Sequence, residues 1–251
     1  MHQKTRGVVL RETNYKEADK ILTVLTEAGK CTVKAPGCRR RNSRLAAPAQ
    51  LLTYSEMTLL DYHDRLRLTE AETLEEFRPI RNDLELLALG SYFAEVTEAV
   101  ADEGREDEGL LPLLLNSLYA LGTLKKPPAL VKAAFELRLL CIAGYEPMLE
   151  GCSVCGAPAP EDARLQLREG TLRCASCPAE EGSGIALPVS PAALRAMTYI
   201  VNADAKRLFS FEADKSVLAQ LGDVCEAYLM TQLERGFRTL DFYKGLMAPV
   251  L

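Results

Sequence analysis

The sequence predicts an α+β protein with several domains, in which short strands come first and helices follow. Residues 1–78 contain five short segments rich in β-forming residues, separated by turn signals. After Arg78-Pro79 the apolar residues recur at helical spacing instead. The chain has 251 residues, of which 48% are hydrophobic and 26% charged, which is an ordinary globular composition.

The first 78 residues are predicted to form a small barrel. The turns Ala28-Gly29-Lys30 and Pro36-Gly37 separate successive strands. Five strands are too few for a β-sandwich, whereas an OB-fold is a partly open barrel of five strands. An OB-fold domain is therefore expected at 1–78, with strands at Val8–Leu10, Ile21–Leu25, Cys31–Val33, Leu51–Leu60 and Leu66–Ala71.

A helical domain is expected at 79–251. A first amphipathic helix is predicted from Leu84 to Val100, where apolar residues fall on one stripe before the polar segment Asp102-Glu103-Gly104. Further helices are predicted at Leu110–Leu124, Leu130–Ala143 and Val217–Arg235.

Four cysteines indicate a metal site inserted in this helical domain, at 150–186. They form two Cys-x2-Cys pairs that are 18 residues apart: Cys152, Cys155, Cys174 and Cys177. This spacing is typical of structural Zn²⁺ sites, in which four thiolates fill a tetrahedron and leave no open position for a reacting water. The alternatives are two disulfides, which a reducing compartment disfavours, or a thioredoxin-type redox pair. A redox pair requires a βαβ setting that Pro158, Pro160 and Gly170 do not support.

A basic segment lies within the predicted barrel, although the whole chain has a formal net charge of -5. Residues 1–78 hold 14 Lys and Arg and 11 Asp and Glu, and Lys30 to Arg44 contains no acidic residue. Clustered guanidinium groups can follow a phosphate backbone without reading its sequence. The predicted nucleic-acid-binding residues are Lys30, Lys34, Arg39, Arg40, Arg41 and Arg44. The alternative is a solvated turn.

Other residues add less specific expectations. The aromatic residues nearest to the basic segment that could stack on bases are Tyr15, Tyr54 and Tyr62. Ordinary positions in or at the rim of the barrel explain each of them at least as well. Cys38 is expected to be exposed and oxidisable. The sequence shows no P-loop, no dinucleotide-binding glycine pattern and no nucleophile–base arrangement, so no enzymatic activity is predicted. No apolar run is long enough for a membrane helix and no secretory signal is visible, so a cytoplasmic protein is expected.

Taken in order along the chain, several segments make it resemble the RecO family of bacterial recombination mediators. The resemblance covers nearly the whole length, and within it Pro36 and Cys38 stand where relatives usually carry lysine and alanine. The segments are Thr5-Arg-Gly-Val-Val-Leu-Arg-Glu-Thr-Asn-Tyr15, Glu17-Ala-Asp-Lys20, Ala35-Pro-Gly-Cys-Arg-Arg40, Ser43-Arg44-Leu45, Glu72 to Phe77, Phe135-Glu-Leu-Arg-Leu-Leu140 and Gly144-Tyr145 before the first cysteine pair.

The resemblance implies a role in DNA repair and DNA recombination without catalytic turnover. It implies binding of single- and double-stranded DNA, annealing of complementary strands, and loading of recombinase on DNA coated by single-stranded-DNA-binding protein (SSB). It also implies RecR as a partner, RecF as a further candidate, and an association with the nucleoid. The competing interpretation is a zinc-stabilised protein-interaction scaffold whose DNA contact is incidental.

The resemblance also implies that the helical domain binds the acidic, apolar C-terminal tail of SSB. Lys132 and Arg138 flank an apolar run that contains Phe135, so a cation beside an apolar slot is one interpretation. The alternative is a buried core helix whose charged residues point to water.

Overall fold

The computed structural model describes residues 2–62, 65–106, 109–158, 160, 162–178 and 184–247. The predicted zinc module at 150–186 therefore includes some residues that lie outside the described part of the chain. In the described ranges, no helix is long and apolar enough to cross a membrane.

The N-terminal strands close into a five-stranded barrel, which confirms the predicted fold. The order around the barrel is β1-β2-β3-β5-β4. Strands β3 and β5 run parallel, whereas the other neighbouring strands are antiparallel. The strands are β1 (His2–Tyr15), β2 (Asp19–Thr26), β3 (Gly29–Ala35), β4 (Tyr54–Tyr62) and β5 (Arg65–Glu75).

Strand β1 is long because it closes the barrel by pairing with two neighbours. Its first half pairs with β4 and its second half with β2, and both pairings meet at Gly7 and Val8. A Cβ atom on Gly7 would lie 2.6 Å from Val24 Cγ1 and 2.8 Å from the carbonyl oxygen of Leu25. Glycine is therefore required where β1 passes from one partner strand to the other.

The loop between β3 and β4 contributes to the barrel core. Cys38 and Ala49 of this loop pack with interior residues such as Val9, Leu22 and Met57. Cys38 is only 3% exposed, so the expectation of an exposed, oxidisable thiol is wrong. The reason is that the chain folds back against the barrel directly after β3, and this burial raises the pKa of the Cys38 thiol.

The helices predicted from periodicity are present with bounds close to those expected, together with α1, α5 and α7, which were not predicted. The remaining strands form a second sheet in the order β6-β8-β7-β9. The bounds are α1 (Arg78–Arg81), α2 (Leu84–Val100), α3 (Leu110–Gly122), α4 (Pro128–Ile142), β6 (Met148–Cys152), β7 (Ala163–Gln166), β8 (Thr171–Cys174), β9 (Ala186–Val189), α5 (Pro191–Asn202), α6 (Lys215–Gln232) and α7 (Arg238–Met247).

By internal packing the chain forms two compact units. The barrel unit comprises Met1–Thr123 with Phe237–Leu251, and the second unit comprises Leu124–Gly236. In the barrel unit, α7 packs on α2, and the Glu95 carboxylate accepts hydrogen bonds from the backbone N–H and the hydroxyl of Thr239. The predicted domain limits at 1–78 and 79–251 follow sequence character rather than packing, and they remain a prediction.

Candidate nucleic-acid interface and metal centre

Strand register places a row of side chains on the outer face of the barrel. Ile21 of β2 lies opposite Lys34 of β3, and Lys34 lies beside Arg67 of β5 in the parallel pair. Side chains that are direct neighbours across strands share a face, as do residues two apart on one strand. Thr32 is two residues before Lys34, and Tyr15 pairs with Asp19, which is two residues before Ile21, so both point to the same side of the barrel.

Helix α2 covers one end of this face. The Glu98 carboxylate lies 2.8 Å from Arg11 Nη2, and the backbone carbonyl of Glu98 accepts a hydrogen bond of 2.9 Å from Lys30 Nζ. An ammonium group beside the last carbonyls of a helix is favourable because these oxygens are the negative end of the helix dipole. Lys30 thus anchors α2 to the barrel, and its predicted role in nucleic-acid binding stays a prediction.

The other end of the face is open and forms a groove of about 570 Å³, named here the barrel groove. Its less polar lining consists of Tyr15, Ile21, Thr32 and Leu66. Its basic lining consists of Lys16, Lys34, Arg65 and Arg67, and none of these eight described residues is acidic. The structure thus provides a cationic slot with an apolar floor, on the strands and loops that bind oligonucleotides in many OB-folds.

From the sequence, Lys34 of this groove was predicted to bind nucleic acid, and Arg65 and Arg67 were candidates to extend the basic surface, but nothing indicated that they share a face with Lys34. Arg65 and Arg67 follow Lys34 by 31 and 33 residues in the chain. The parallel pairing of β3 with β5 brings them next to Lys34, and such a long-range pairing leaves no signal in the local sequence. Of the three tyrosines considered as stacking residues, Tyr15 lies in the groove and Tyr54 lines a different cavity. The side chain of Tyr62 lies outside the part of the structure that is described.

Asp19 joins the groove to the loop that follows β3. Its Oδ1 accepts a hydrogen bond of 2.7 Å from the Gly37 N–H, and its Oδ2 lies 3.0 Å from Lys34 Nζ. The Gly37 hydrogen bond and the Lys34 ammonium lower the pKa of the Asp19 carboxyl, so the carboxylate stays ionised. The carboxylate therefore holds a groove lysine and the start of the loop together.

Residues 36–53, named here the arginine loop, lie beside the groove. The backbone N–H of Arg39 donates to the Ala18 carbonyl at 3.0 Å, and its guanidinium donates to the Glu17 carbonyl at 3.3 Å. Arg40, Arg41 and Arg44 are exposed. Within the described part of the chain, their side chains make no hydrogen bond or ion pair. Three guanidinium groups are thus open to an anionic ligand, whereas Arg39 also fastens the loop to the β1–β2 turn.

The second unit brings the four predicted cysteines together. Cys152 ends β6 and Cys174 ends β8, and these two strands are parallel neighbours, so their ends meet at one edge of the sheet. Cys155 and Cys177 follow in tight turns. The first turn closes with a hydrogen bond of 2.9 Å from the Gly156 N–H to the Cys152 carbonyl, and Gly156 has a φ of 73° that favours glycine.

The distances between the sulfur atoms match a tetrahedral metal site. The four Sγ atoms all lie within 4.8 Å of one another. Cys152 Sγ is 3.8 Å from Cys177 Sγ, and Cys155 Sγ is 3.7 Å from Cys174 Sγ. A tetrahedron with Zn–S bonds of about 2.3 Å has edges of about 3.8 Å. The donor set therefore fits a single ion held by four thiolates.

Backbone donors and burial act in opposite directions on these thiols. Hydrogen bonds from the backbone N–H groups of Cys155 and Cys174 lower the pKa of Cys152 to about 6. Desolvation instead raises the pKa of Cys174 to about 12. A cation at the centre of the cluster would stabilise all four as thiolates, which is the form that binds metal.

The predicted partner-binding residues lie on α4, which is the central helix of the second unit. Phe135 is fully buried and Lys132 is 7% exposed. Lys132 Nζ lies 2.8 Å from both Glu136 Oε1 and Glu226 Oε2. Burial alone would lower the pKa of Lys132, but these two carboxylates outweigh it and raise the pKa.

Arg138 also has an internal contact, since its guanidinium donates to the Ala203 carbonyl. Inside the second unit these three side chains therefore serve packing and ion pairing. The alternative interpretation expected the charged groups of Lys132 and Arg138 to point to water. Both groups have partners within the second unit instead. A contact of this helix with a partner stays a prediction.

Comparisons with known proteins cover nearly the whole chain. The family model Recombination protein O N terminal matches residues 1–77, and Recombination protein O C terminal matches residues 81–241. A DNA repair protein RecO of Acetivibrio thermocellus is 37% identical over 244 residues, which are 97% of this chain and 96% of that protein. A relative with the same name from Symbiobacterium thermophilum is 32% identical, and the match covers 96% of this chain and 96% of that protein. Another from Caldicellulosiruptor bescii is 30% identical, and the match covers 96% of this chain and 97% of that protein.

Proposed function

Because the chain belongs to the RecO family of DNA repair proteins, we propose that it is a DNA-binding recombination mediator. In this role it binds single- and double-stranded DNA, anneals complementary strands and helps to load recombinase on SSB-coated DNA. It has no catalytic turnover of its own. The protein acts in the bacterial cytoplasm, at the nucleoid.

The observation that carries this proposal is the pair of basic features in the barrel unit, the barrel groove and the arginine loop, which Asp19 and Arg39 connect. The barrel groove contributes four cations, and Arg39 joins it to the arginine loop, where Arg40, Arg41 and Arg44 are exposed. Annealing brings two polyanions together, so a cationic surface offsets part of their repulsion. Contacts to phosphates leave the base edges free to pair with the complementary strand.

The four-cysteine cluster is proposed to hold one structural Zn²⁺. The ion would tie β6 to β8 and stabilise the small sheet, since its four protein ligands leave no position for substrate or water. Cys152, Cys155, Cys174 and Cys177 are the proposed ligands, and their sulfur separations support the assignment.

Protein partners of the proposed mediator are RecR, the C-terminal tail of SSB and RecF. For the tail, the residues proposed from the sequence are Lys132, Phe135 and Arg138. Their burial in α4 gives this site less support than the basic surface gives to DNA binding, because a tail would have to displace internal contacts to reach them.

Mobility shift at two salt concentrations, combined with an annealing assay, tests the proposed function. The protein should shift a single strand and a duplex, bind both more weakly at the higher salt, and accelerate annealing of complementary oligonucleotides. A folded, zinc-loaded protein that shifts neither DNA at low salt would exclude this function. The interpretation as a zinc-stabilised protein-interaction scaffold would then take its place.

A further inference from the structure

Tyr15 has an unusual position for an aromatic side chain of a barrel. It is the last residue of β1, it is 41% exposed, and it lines the open groove rather than the core. Ile21 and Leu66 lie in the same groove, so the tyrosine belongs to a partly apolar floor that faces solvent. A flat ring on such a floor is a surface on which another planar group can stack.

Two ammonium groups lie over the ring. Lys34 Nζ lies 5.3 Å and Lys16 Nζ 5.5 Å from the centre of the Tyr15 ring. Both distances are within the range of cation–π attraction, and Lys34 is itself fixed by its ion pair with Asp19. A base that stacks on the ring therefore takes the place of an ammonium group, which is then free to pair with a phosphate of the same strand.

The cations around the ring suit a ligand that combines a planar group with an anionic backbone. Arg65 and Arg67 line the same groove, and Arg67 is the register neighbour of Lys34. The groove volume of about 570 Å³ lies within the range of pockets that bind small molecules. A nucleotide of a DNA strand, with its base on the ring and its phosphate on the rim, satisfies both features.

Only an unpaired strand can use the ring in this way. In a duplex the two faces of every base are covered by neighbouring base pairs, so a protein reaches base edges and phosphates but not base faces. In a single strand a base can leave its neighbours at little cost and stack on an aromatic side chain. We infer that the barrel groove binds an unpaired base on Tyr15 and thereby selects single strands, while the arginine loop binds phosphates of either form.

This inference rests on the proposed DNA binding and adds to it the form of DNA that the groove accepts. The competing explanation is that Tyr15 only covers the aliphatic parts of Lys16 and Lys34. Replacement of Tyr15 separates the two explanations, because a covering role affects both forms of DNA through the lysines, whereas stacking affects single strands alone.

The experiment measures fluorescence anisotropy of the full chain with a labelled oligo-dT and with a duplex of equal length. Tyr15→Ala should weaken single-strand binding by about 5- to 100-fold and leave duplex binding within about twofold. Tyr15→Phe retains the ring and should bind both within about twofold of wild type. The matched control is Tyr145→Ala, because Tyr145 is also 41% exposed but lies outside the barrel.

A second readout reports stacking directly. An oligonucleotide that contains 2-aminopurine should lose fluorescence on binding to wild type and to Tyr15→Phe, but much less on binding to Tyr15→Leu, which keeps an apolar side chain without a ring. Thermal unfolding of each variant verifies folding, and Tyr15→Leu carries the affinity test if the alanine variant does not fold.

The outcomes separate the two levels of the proposal. Equal weakening of single-strand and duplex binding by Tyr15→Leu, or no weakening of either, overturns the inference and leaves DNA binding intact. If wild type binds neither form of DNA, the proposed function itself fails.

Discussion

Replacing Arg40, Arg41 and Arg44 with alanine should flatten the salt dependence of single-strand binding. These side chains are exposed, and within the described part of the chain they have no hydrogen bond or ion pair to give up. Each phosphate that is neutralised on a single strand contributes about -0.7 to the slope of log affinity against log salt. The triple replacement should therefore reduce the slope by about 2 if each guanidinium contacts one phosphate.

Arg39 is kept in this variant because its guanidinium also holds the β1–β2 turn through the carbonyls of Lys16 and Glu17. Replacing Arg39 as well should bring the total change in slope to between about 2 and 3. It should also weaken the packing of the arginine loop, which the triple variant leaves intact. Unfolding free energy of the triple variant should stay within about 0.5 kcal/mol of wild type, because these positions are exposed.

The assay is an anisotropy titration with labelled oligonucleotides at several salt concentrations. Oligo-dT and a mixed sequence should be weakened alike, because phosphates carry no base information. Annealing of complementary strands should slow in step with the loss of affinity. The control variant removes the same number of positive charges by replacing three exposed residues of the second unit with alanine: Lys206, Arg207 and Lys215. If the triple arginine variant keeps the wild-type slope while it remains folded, the loop is a solvated turn and the assignment of these residues is wrong.

Three further predictions concern the metal, a buried ion pair and pH. Elemental analysis should find about one zinc per wild-type chain and much less in Cys152→Ser. The Cys152→Ser variant should largely retain DNA binding by the barrel. A folded, reduced wild-type protein without zinc would contradict the assignment of the four cysteines. Lys132→Met should cost about 3–5 kcal/mol in chemical denaturation, because it leaves the buried carboxylate of Glu136 and the partly exposed carboxylate of Glu226 without their cation. A cost below about 1 kcal/mol would refute this reasoning. The pKa of Asp19 is lower in the folded protein than in the unfolded chain, where it is about 4. The ionised carboxylate therefore stabilises the protein fully above the unfolded pKa. This contribution is lost as the pH falls through the lowered pKa of the folded state. The difference in unfolding free energy between wild type and Asp19→Asn should therefore be constant near neutral pH and disappear in acid; a difference that grows in acid would contradict the pairing.

Much of the fold could be predicted because its signals are local. Strand and helix periodicity lies within single segments, so each barrel strand was expected at a position that overlaps its observed range, and α2, α3, α4 and α6 were expected close to theirs. Strand β1 is nevertheless much longer than Val8–Leu10, because it pairs with two strands in turn. Helix α5 also had a local signal that was overlooked. Ser190 caps it by accepting from the Ala193 N–H at 3.2 Å, and Pro191 occupies its first turn. Helix α7 is different, because the Glu95 carboxylate of α2, 144 residues away, accepts the hydrogen bonds that Thr239 donates from its first turn.

The sequence by itself determined which residues could form the metal site, because the spacing of a Cys-x2-Cys pair is set within one turn. Its assembly required tertiary structure, since Cys152 and Cys174 meet only through the parallel pairing of β6 with β8. The same holds for the basic surface. Composition marked Lys30 and Lys34 as equivalent, but the packing of α2 covers one end of the barrel face and leaves the other open.

Charge and periodicity thus indicated a DNA-binding barrel, whereas long-range strand pairing decided which side chains share its surface. On α4, likewise, sequence showed cations beside an apolar run, and only packing showed that Lys132 points inward to Glu136 and Glu226. The physical reason is that local patterns record which face of a segment is apolar, but the partner that covers that face comes from a distant part of the chain.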